Sequence, residues 1–356
     1  MSQHSLIFWN IQRLFASQGS PIEHALSGGE AVLADTSRKI KVIAAVIDQI
    51  SRQCGPPLLI GLAEIENVDL CQAIADNIST VDMQAVEFIH EDETGFALDG
   101  LDIGLLVNKT AVERVSKLRS HVIDRKFITR DILECDLQLS NGKELTVLVN
   151  HWPSRMVSEA SGQRISAAIY TKNLIRSKTR FTLQEMWDLE TKSLTVPSDA
   201  AISKRALALI VVMGDFNDEM FDKSIELLGS TNDKKVVLAA EKVRGNTKKT
   251  RFQSYMKHSP AMYNPFWQHI GGVGSYYRTP RWRFYDQIMM SKGLLDSSFK
   301  PFYLAGSGTI FNEGVFQLED GSSYQVTNRN GKPIPFDNKK KRGCSDHFPV
   351  VISVDL

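Results

Sequence analysis

The chain reads as a mixed α/β protein, and three features predict that class. Short apolar runs rich in Val and Ile recur along its length. Segments with helical spacing lie between them, and most of the apolar runs stop on a polar residue suited to chemistry.

The first run, 5–9, predicts a strand ending at Asn10. A helix is predicted over 36–53: Thr36 is a suitable cap, and Ile40, Ile43, Ala44, Ile47 and Ile50 share one face. Pro56-Pro57 stops it, and 58–63 is a short buried strand ending at Glu64. Helical spacing returns over 68–78. Alternation over 102–108 and 131–139 predicts strands, and 145–149 predicts another that ends at Asn150-His151. A long helix is predicted over 165–187 and a short one over 223–228. The uncharged run 207–212 reads as a strand buried on both faces, leading into Gly214-Asp215-Phe216-Asn217. Late strands are expected over 286–290 and 350–354. Loops are expected over 21–34, which holds Gly28-Gly29, and over 191–201 and 306–341, the last two long for a compact domain. No internal repeat or Pro/Gly/Ser-rich linker divides the 356 residues, so one domain over 1–356 is expected.

Composition points to a globular protein: 42% hydrophobic and 23% charged residues leave room for a sizeable core. Cys54, Cys71, Cys135 and Cys344 fit neither metal-ligand spacing nor a compact disulfide framework, and read as reduced thiols of a cytoplasmic protein. The N-terminal run is too short for a signal peptide, and no stretch approaches the ~20 apolar residues of a membrane span. Neither pattern nor composition sets an oligomeric state. The net charge of +1 conceals an asymmetry, since 242–283 carries nine Lys or Arg and no acid, leaving about −8 elsewhere. Eight aromatic residues interleave with those cations, as suits a polyphosphate strand, although aromatics in an irregular loop region are also ordinary core.

The polar residues at the ends of the apolar runs form a series: Asn10, Glu64, Asn150-His151, Asp215 with Asn217, and Asp286, followed by Ser345-Asp346-His347 before the last strand. One strand with a terminal acid means little, but half a dozen predict a site on one rim of a sheet core. If the backbone stays extended through Phe216, Asp215 and Asn217 point the same way, an acid to accept a proton beside an amide to donate to an oxyanion. A turn is the other reading of the same residues.

The segments FWNIQ, GLAEIEN, DIGLLVN, VNHWPSR, VMGDFND, RWRFYDQIMMS and SDHFPVVISV, in that order, span Phe8 to Val354. In this combination the chain resembles the endonuclease/exonuclease/phosphatase superfamily of metal-dependent phosphoesterases. The resemblance implies a four-layer sandwich of two packed mixed β-sheets flanked by helices. It implies that Asn10, Glu64 and Asp346 surround Mg²⁺, with Mn²⁺ as a substitute, hard oxygen donors being suited to either. Asp215 is then the residue that orients or deprotonates the attacking water, Asn217 the donor to a non-bridging phosphate oxygen, and His347 the catalytic histidine with Asp286 as its carboxylate partner. His151 matches the deoxyribonuclease-like and sphingomyelinase-like members rather than the abasic-site endonucleases. Asp102 is a weaker candidate to orient His151. Gln12 stands where some members carry an acid, which speaks against a second metal.

Arg155 is a candidate for a bidentate phosphate contact, with a surface salt bridge as its alternative. Trp282 and Tyr285 are candidates to stack on a base or line a lipid headgroup, and a core role for at least one is expected. The run Lys339-Lys340-Lys341-Arg342, close in sequence to Asp346, is placed to steer phosphates. The function expected is Mg²⁺-dependent phosphodiester hydrolysis by in-line attack of water, as a nuclease (endonuclease) with DNA as its partner. The alternative is a small-molecule phosphoesterase acting on a nucleotide, inositol phosphate or sphingolipid headgroup. A binding module that has lost catalysis would lack ligands, and no core position is lost.

Overall fold

Parallel and antiparallel pairing meet in each of two seven-stranded sheets. The computed structural model describes residues 3–16, 36–87, 101–123, 131–156, 160–191, 197–239, 247–318, 321–337 and 339–356. The loop expected over 21–34 lies outside the described residues.

The first sheet is built on β1 (Gln3–Leu14), β2 (Pro57–Ile65), β3 (Met83–Ala85) and β4 (Asp102–Asn108). The second takes β5 (Val112–His121), β6 (Ile132–Leu139), β7 (Glu144–His151), β8 (Leu209–Asp215) and β9 (Asp286–Met290). The last strand, β10 (Val350–Asp355), returns to the first sheet beside β1. β1 and β2 are parallel, as are β7 and β8, whereas β4, β9 and β10 run antiparallel to β2, β8 and β1. Helix α1 (Thr36–Cys54) supplies the crossover between β1 and β2, and α2 (Val68–Asn77) follows β2, with Asn67 Oδ1 accepting from Leu70 N as its N-cap.

The two sheets pack face to face. Val211 and Met213 of β8 join the core of the first sheet, while Ile210 and Val212 face the other way, onto Ala167, Ala168 and Ile175 of α3 (Ala160–Thr179). That is why the run is apolar on both faces. The sheets approach closely at Gly61, where an added Cβ would lie 2.6 Å from Met213 Sδ. Gly214 has a similar role within the second sheet, since it pairs with Asn150 and a Cβ there would lie 2.3 Å from Asn150 O.

The helix expected over 165–187 is two. α3 ends at Thr179, and a second helix, Leu183–Thr191, begins after Thr182, whose backbone N–H and Glu185 side chain form a capping box. Arg180 lies at the break, its buried guanidinium over the Tyr255 ring and donating to His258 O. The long segment expected as a loop over 306–341 contains a hairpin of Val315–Gln317 with Ser323–Gln325, and the one over 191–201 runs into the helix Asp199–Ala206. All four cysteines are free, and burial pushes the Cys135 and Cys344 thiols up to about 12. Among the described residues no helix is long and apolar enough to cross a membrane.

Candidate active site

Seven strands meet at one rim. β1, β2, β7 and β8 run toward it, and β4, β9 and β10, each antiparallel to one of those, start from it. Asp286 opens its strand, as expected over 286–290, and the register sets it directly opposite Asp215. His151 pairs with the same Asp215 from the other side.

Asn10 is the hinge of the site. Its Nδ2 donates both to Glu64 Oε1 and to Asp215 Oδ2, each at 3.1 Å, and its Oδ1 accepts from Gln12 N at 3.0 Å. Glu64 takes φ +66°, a backbone conformation unusual for a side-chain-bearing residue, and its Oε2 accepts from Arg13 N at 3.1 Å. Asp346 lies near enough to Glu64 that their charges repel. Burial first, and then Glu64, raises the Asp346 carboxyl above its ordinary range, although His347 and Lys39 oppose this. Two hard carboxylates close enough to interact, with the Asn10 amide beside Glu64, are a donor set that fits a divalent cation such as Mg²⁺ or Mn²⁺.

His347 Nδ1 lies 2.7 Å from Asp286 Oδ2, and both side chains are buried. Burial alone lowers the imidazole, but the charge and hydrogen bond of Asp286, with Asp215 and Asp346 behind them, raise it well above its usual value. Asp215 moves the other way for a carboxylate. Burial and the Asp286 charge push it up to about 7, against the pull of His347, the Asn217 N–H and the Asn10 amide. His347 Nε2 and His151 Nε2 stand 3.9 and 3.7 Å from Asp215 Oδ2, and His151 Nε2 is 3.9 Å from Glu64 Oε1. These separations exceed hydrogen-bond length, so the groups converge on one point without saturating each other. Ligand atoms of Asp215, Asp286 and His347 all lie within 4.8 Å of one another, a second grouping able to hold a metal ion.

β8 ends at Asp215, and Asn217 adopts φ +50°. Extended backbone therefore does not continue through 217. The Asn217 N–H turns back onto Asp215 Oδ1 at 2.9 Å, and its Nδ2 donates to Trp152 O at 2.9 Å. Turn and site are one feature here.

The expected substrate contacts are placed differently. Arg155 donates through Nε to Asn217 O at 2.7 Å and through Nη2 to Asp218 Oδ1 at 2.6 Å and to Asp222. Its fork is engaged with protein acceptors, the salt-bridge alternative, because Asp218 and Asp222 in the loop after β8 lie within reach of the loop after β7. Tyr285 is buried, with its ring on Tyr276 and the Arg155 guanidinium, so it is packed and not displayed for stacking. Trp282 is half-buried, stacked on Phe348 and edge-on to Tyr277. Asp102 stands at the start of β4 opposite Ile65, with Oδ1 accepting from Ile103 N.

Several residues of the site escaped the sequence analysis. Tyr276 pairs its backbone with His347 and stacks its ring on the imidazole at 4.6 Å. Trp9 Nε1 donates to His347 O at 2.9 Å, and Ser345 Oγ donates to Asn10 O at 2.6 Å while accepting from His347 N. Trp9 and Ser345 each stand one residue before a named site residue, which was the available signal.

The profile of the Endonuclease/Exonuclease/phosphatase family matches residues 5–182 and 190–356. The chain belongs to that family. Its members are metal-dependent phosphoesterases, and this chain is such a hydrolase. Solved structures share the fold of this family member. Truncated TDP2 of Caenorhabditis elegans aligns over 99% of this chain and 98% of its own, at 13% identity and TM-score 0.53. TDP2 of D. rerio, complexed with a single-strand DNA product, aligns over 100% of both chains at 13% identity and TM-score 0.50. The mannosyl-6-phosphatase of Bacteroides thetaiotaomicron aligns over 99% of this chain and 100% of its own, at 10% identity and TM-score 0.50. No curated protein matches the sequence.

Proposed function

We propose that this phosphoesterase is a Mg²⁺-dependent nuclease that hydrolyses phosphodiesters in DNA. One observation carries the choice of a polyanionic substrate: the basic aromatic segment abuts the catalytic histidine. A two-stranded hairpin, Tyr276–Arg278 with Arg281–Arg283, lays Tyr276 on His347 and Trp282 on Phe348, and the hairpin tips carry exposed Arg278 and Arg281. TDP2 with bound single-strand DNA is a relative in fold that is consistent with this reading.

Asn10, Glu64 and Asp346 would hold the divalent cation, which when bound supplies Lewis-acid stabilisation of charge on a phosphate oxygen. Asp215 is the general base. Its carboxyl, pushed up to about 7, is poised to take a proton near neutral pH. His347, held protonated by Asp286, donates from Nε2 to the phosphate and stabilises charge there. Asn217 is fixed by Trp152 O on one amide hydrogen, leaving the rest of the amide to orient a phosphate oxygen. His151, pointed at Asp215 and Glu64 by its place at the end of β7, serves the leaving oxygen.

The second reading is a small-molecule phosphoesterase, favoured by the burial of Tyr285 and by the fold shared with a sugar phosphatase. A panel of circular duplex, single-stranded DNA, RNA, nucleotide and sugar phosphate, each with Mg²⁺, Mn²⁺ or EDTA, separates the two. Cleavage of DNA that falls at least about tenfold between roughly 50 and 200 mM salt supports the nuclease. Turnover of the small substrates alone, indifferent to salt, overturns it.

A further inference from the structure

Between Asn10 and Leu14 the first strand leaves its ladder. Asn10 pairs with Ala63 and Leu14 with Ile65, so β1 uses four residues where β2 advances two. The excess is taken up by Gln12 and Arg13, consecutive residues at φ +50° and +52°. Neither is glycine, and two adjacent left-handed residues with side chains are held only where their surroundings demand it. What they supply is two backbone N–H groups aimed at the site: Gln12 N–H on Asn10 Oδ1 and Arg13 N–H on Glu64 Oε2.

The group that holds the bulge is Lys39 of α1. It is 3% exposed, and its ammonium donates to Gln12 O and, at 3.2 Å, to Arg13 O, while lying 5.6 Å from the centre of the Phe336 ring. Among the described residues its hydrogen-bond acceptors are carbonyls and not a carboxylate, which is unusual for a buried lysine. Here both carbonyls exposed by the bulge are satisfied by one cation: the peptide that carries Gln12 O also carries the Arg13 N–H that faces Glu64, and the Gln12 N–H on Asn10 lies one peptide before it.

We propose, on the reading of Asn10, Glu64 and Asp346 as the divalent-cation site, that Lys39 is a positioning residue for that site. It acts through the backbone of Gln12 and Arg13 to fix the Glu64 carboxylate and the Asn10 amide. This role has a sign that charge alone does not. A cation close to Glu64 and Asp346 repels a second cation, so removing only its charge would tighten metal binding. Removing a positioning group would weaken it, by about 10- to 100-fold as for other groups that orient ligands.

The test is direct titration of Mn²⁺ into the full chain without substrate, followed by calorimetry and by the loss of the free Mn²⁺ EPR signal, with thermal melts as a folding control. Lys39→Met is expected to raise the dissociation constant at least about tenfold, and Lys39→Arg, which keeps charge and donors, to stay within about threefold. Glu64→Gln is run beside them. If it binds Mn²⁺ as the wild type does, the cation-site reading is overturned and Lys39 with it. If Glu64→Gln is weakened while Lys39→Met is unchanged or tighter, only the role of Lys39 is overturned. Should Lys39→Met fail to fold, an amide-to-ester replacement at Arg13 removes the same N–H from Glu64 with Lys39 in place and leaves the residue free to keep its φ of +52°. Weakened Mn²⁺ binding there supports the relay, and wild-type affinity overturns it.

Discussion

Replacing Gly214 by alanine tests how tightly strand spacing controls the chemistry. The added Cβ would lie 2.3 Å from Asn150 O and 2.7 Å from Asn150 Cβ, against the 3.0 Å below which real Cβ contacts essentially never occur. β7 and β8 must therefore part by about 0.7 Å or more at the rung next to His151 and Asp215. Overpacking of this kind costs about 1–3 kcal/mol. With an unfolding entropy of about 2.1 cal/mol/K per residue, a 356-residue chain loses only about 1–4 °C in Tm. The same displacement in reacting groups costs on the order of 10²-fold in turnover. Gly214→Ala is thus expected to melt close to the wild type and to cleave about a hundredfold more slowly, measured by differential scanning fluorimetry and by initial rates at saturating Mg²⁺. Turnover within threefold of the wild type, with the protein folded, would refute the argument that the close approach of these strands sets the site.

Asp215→Asn and His347→Ala should each lower turnover by about 10²–10⁴-fold with little change in circular dichroism. Because Asp215 must be ionised to accept a proton and is raised to about 7, the wild-type rate should fall about tenfold per pH unit below 7. A rate flat down to pH 5 would remove Asp215 as the base. On the far side of β6, Lys178 Nζ bonds Asp136 Oδ2 at 2.5 Å and Glu134 Oε1 at 2.8 Å. Lys178→Met should cost about 3 kcal/mol in urea unfolding at pH 7, because it leaves buried carboxylates underpaired. Burial raises Glu134, but His121 and the lysines outweigh that and hold it below its ordinary value. Its contribution is therefore present above about pH 4.5 and lost as pH falls, and the deficit of Lys178→Met should shrink toward pH 3.

Most of the architecture was legible because its signals are local. The edges of 102–108, 223–228 and 286–290 coincide with the observed elements, since apolar periodicity and flanking polar residues define them without reference to partners. The helix expected over 165–187 stops at Thr179; the restart has a local marker in the Thr182-to-Glu185 capping box, whereas the buried Arg180 between the two helices is held by tertiary contacts. The site was legible in outline because strand-end polar residues recur in order. Contacts between elements distant in sequence left no signal, Tyr276 on His347 and Lys39 on the bulge among them, while for Arg155 it is the salt-bridge alternative, with Asp218 and Asp222, that is observed. None of these has a sequence spacing that distinguishes it from an ordinary tyrosine, helical lysine or loop arginine. The left-handed backbone at Gln12, Arg13, Glu64 and Asn217 was equally silent, because the residues there are not glycine.

The bond from Ser345 Oγ to Asn10 O joins residues 335 positions apart, and Trp9 reaches His347 over 338. The site is closed by β10 docking beside β1, so a growing chain lacks Asp346 and His347 until more than three hundred residues beyond Asn10 have been made. Neither a nascent chain that stops short of His347 nor a fragment cut before it carries the whole set of site residues. In this phosphoesterase topology thereby makes the chemistry contingent on the segment that carries β10.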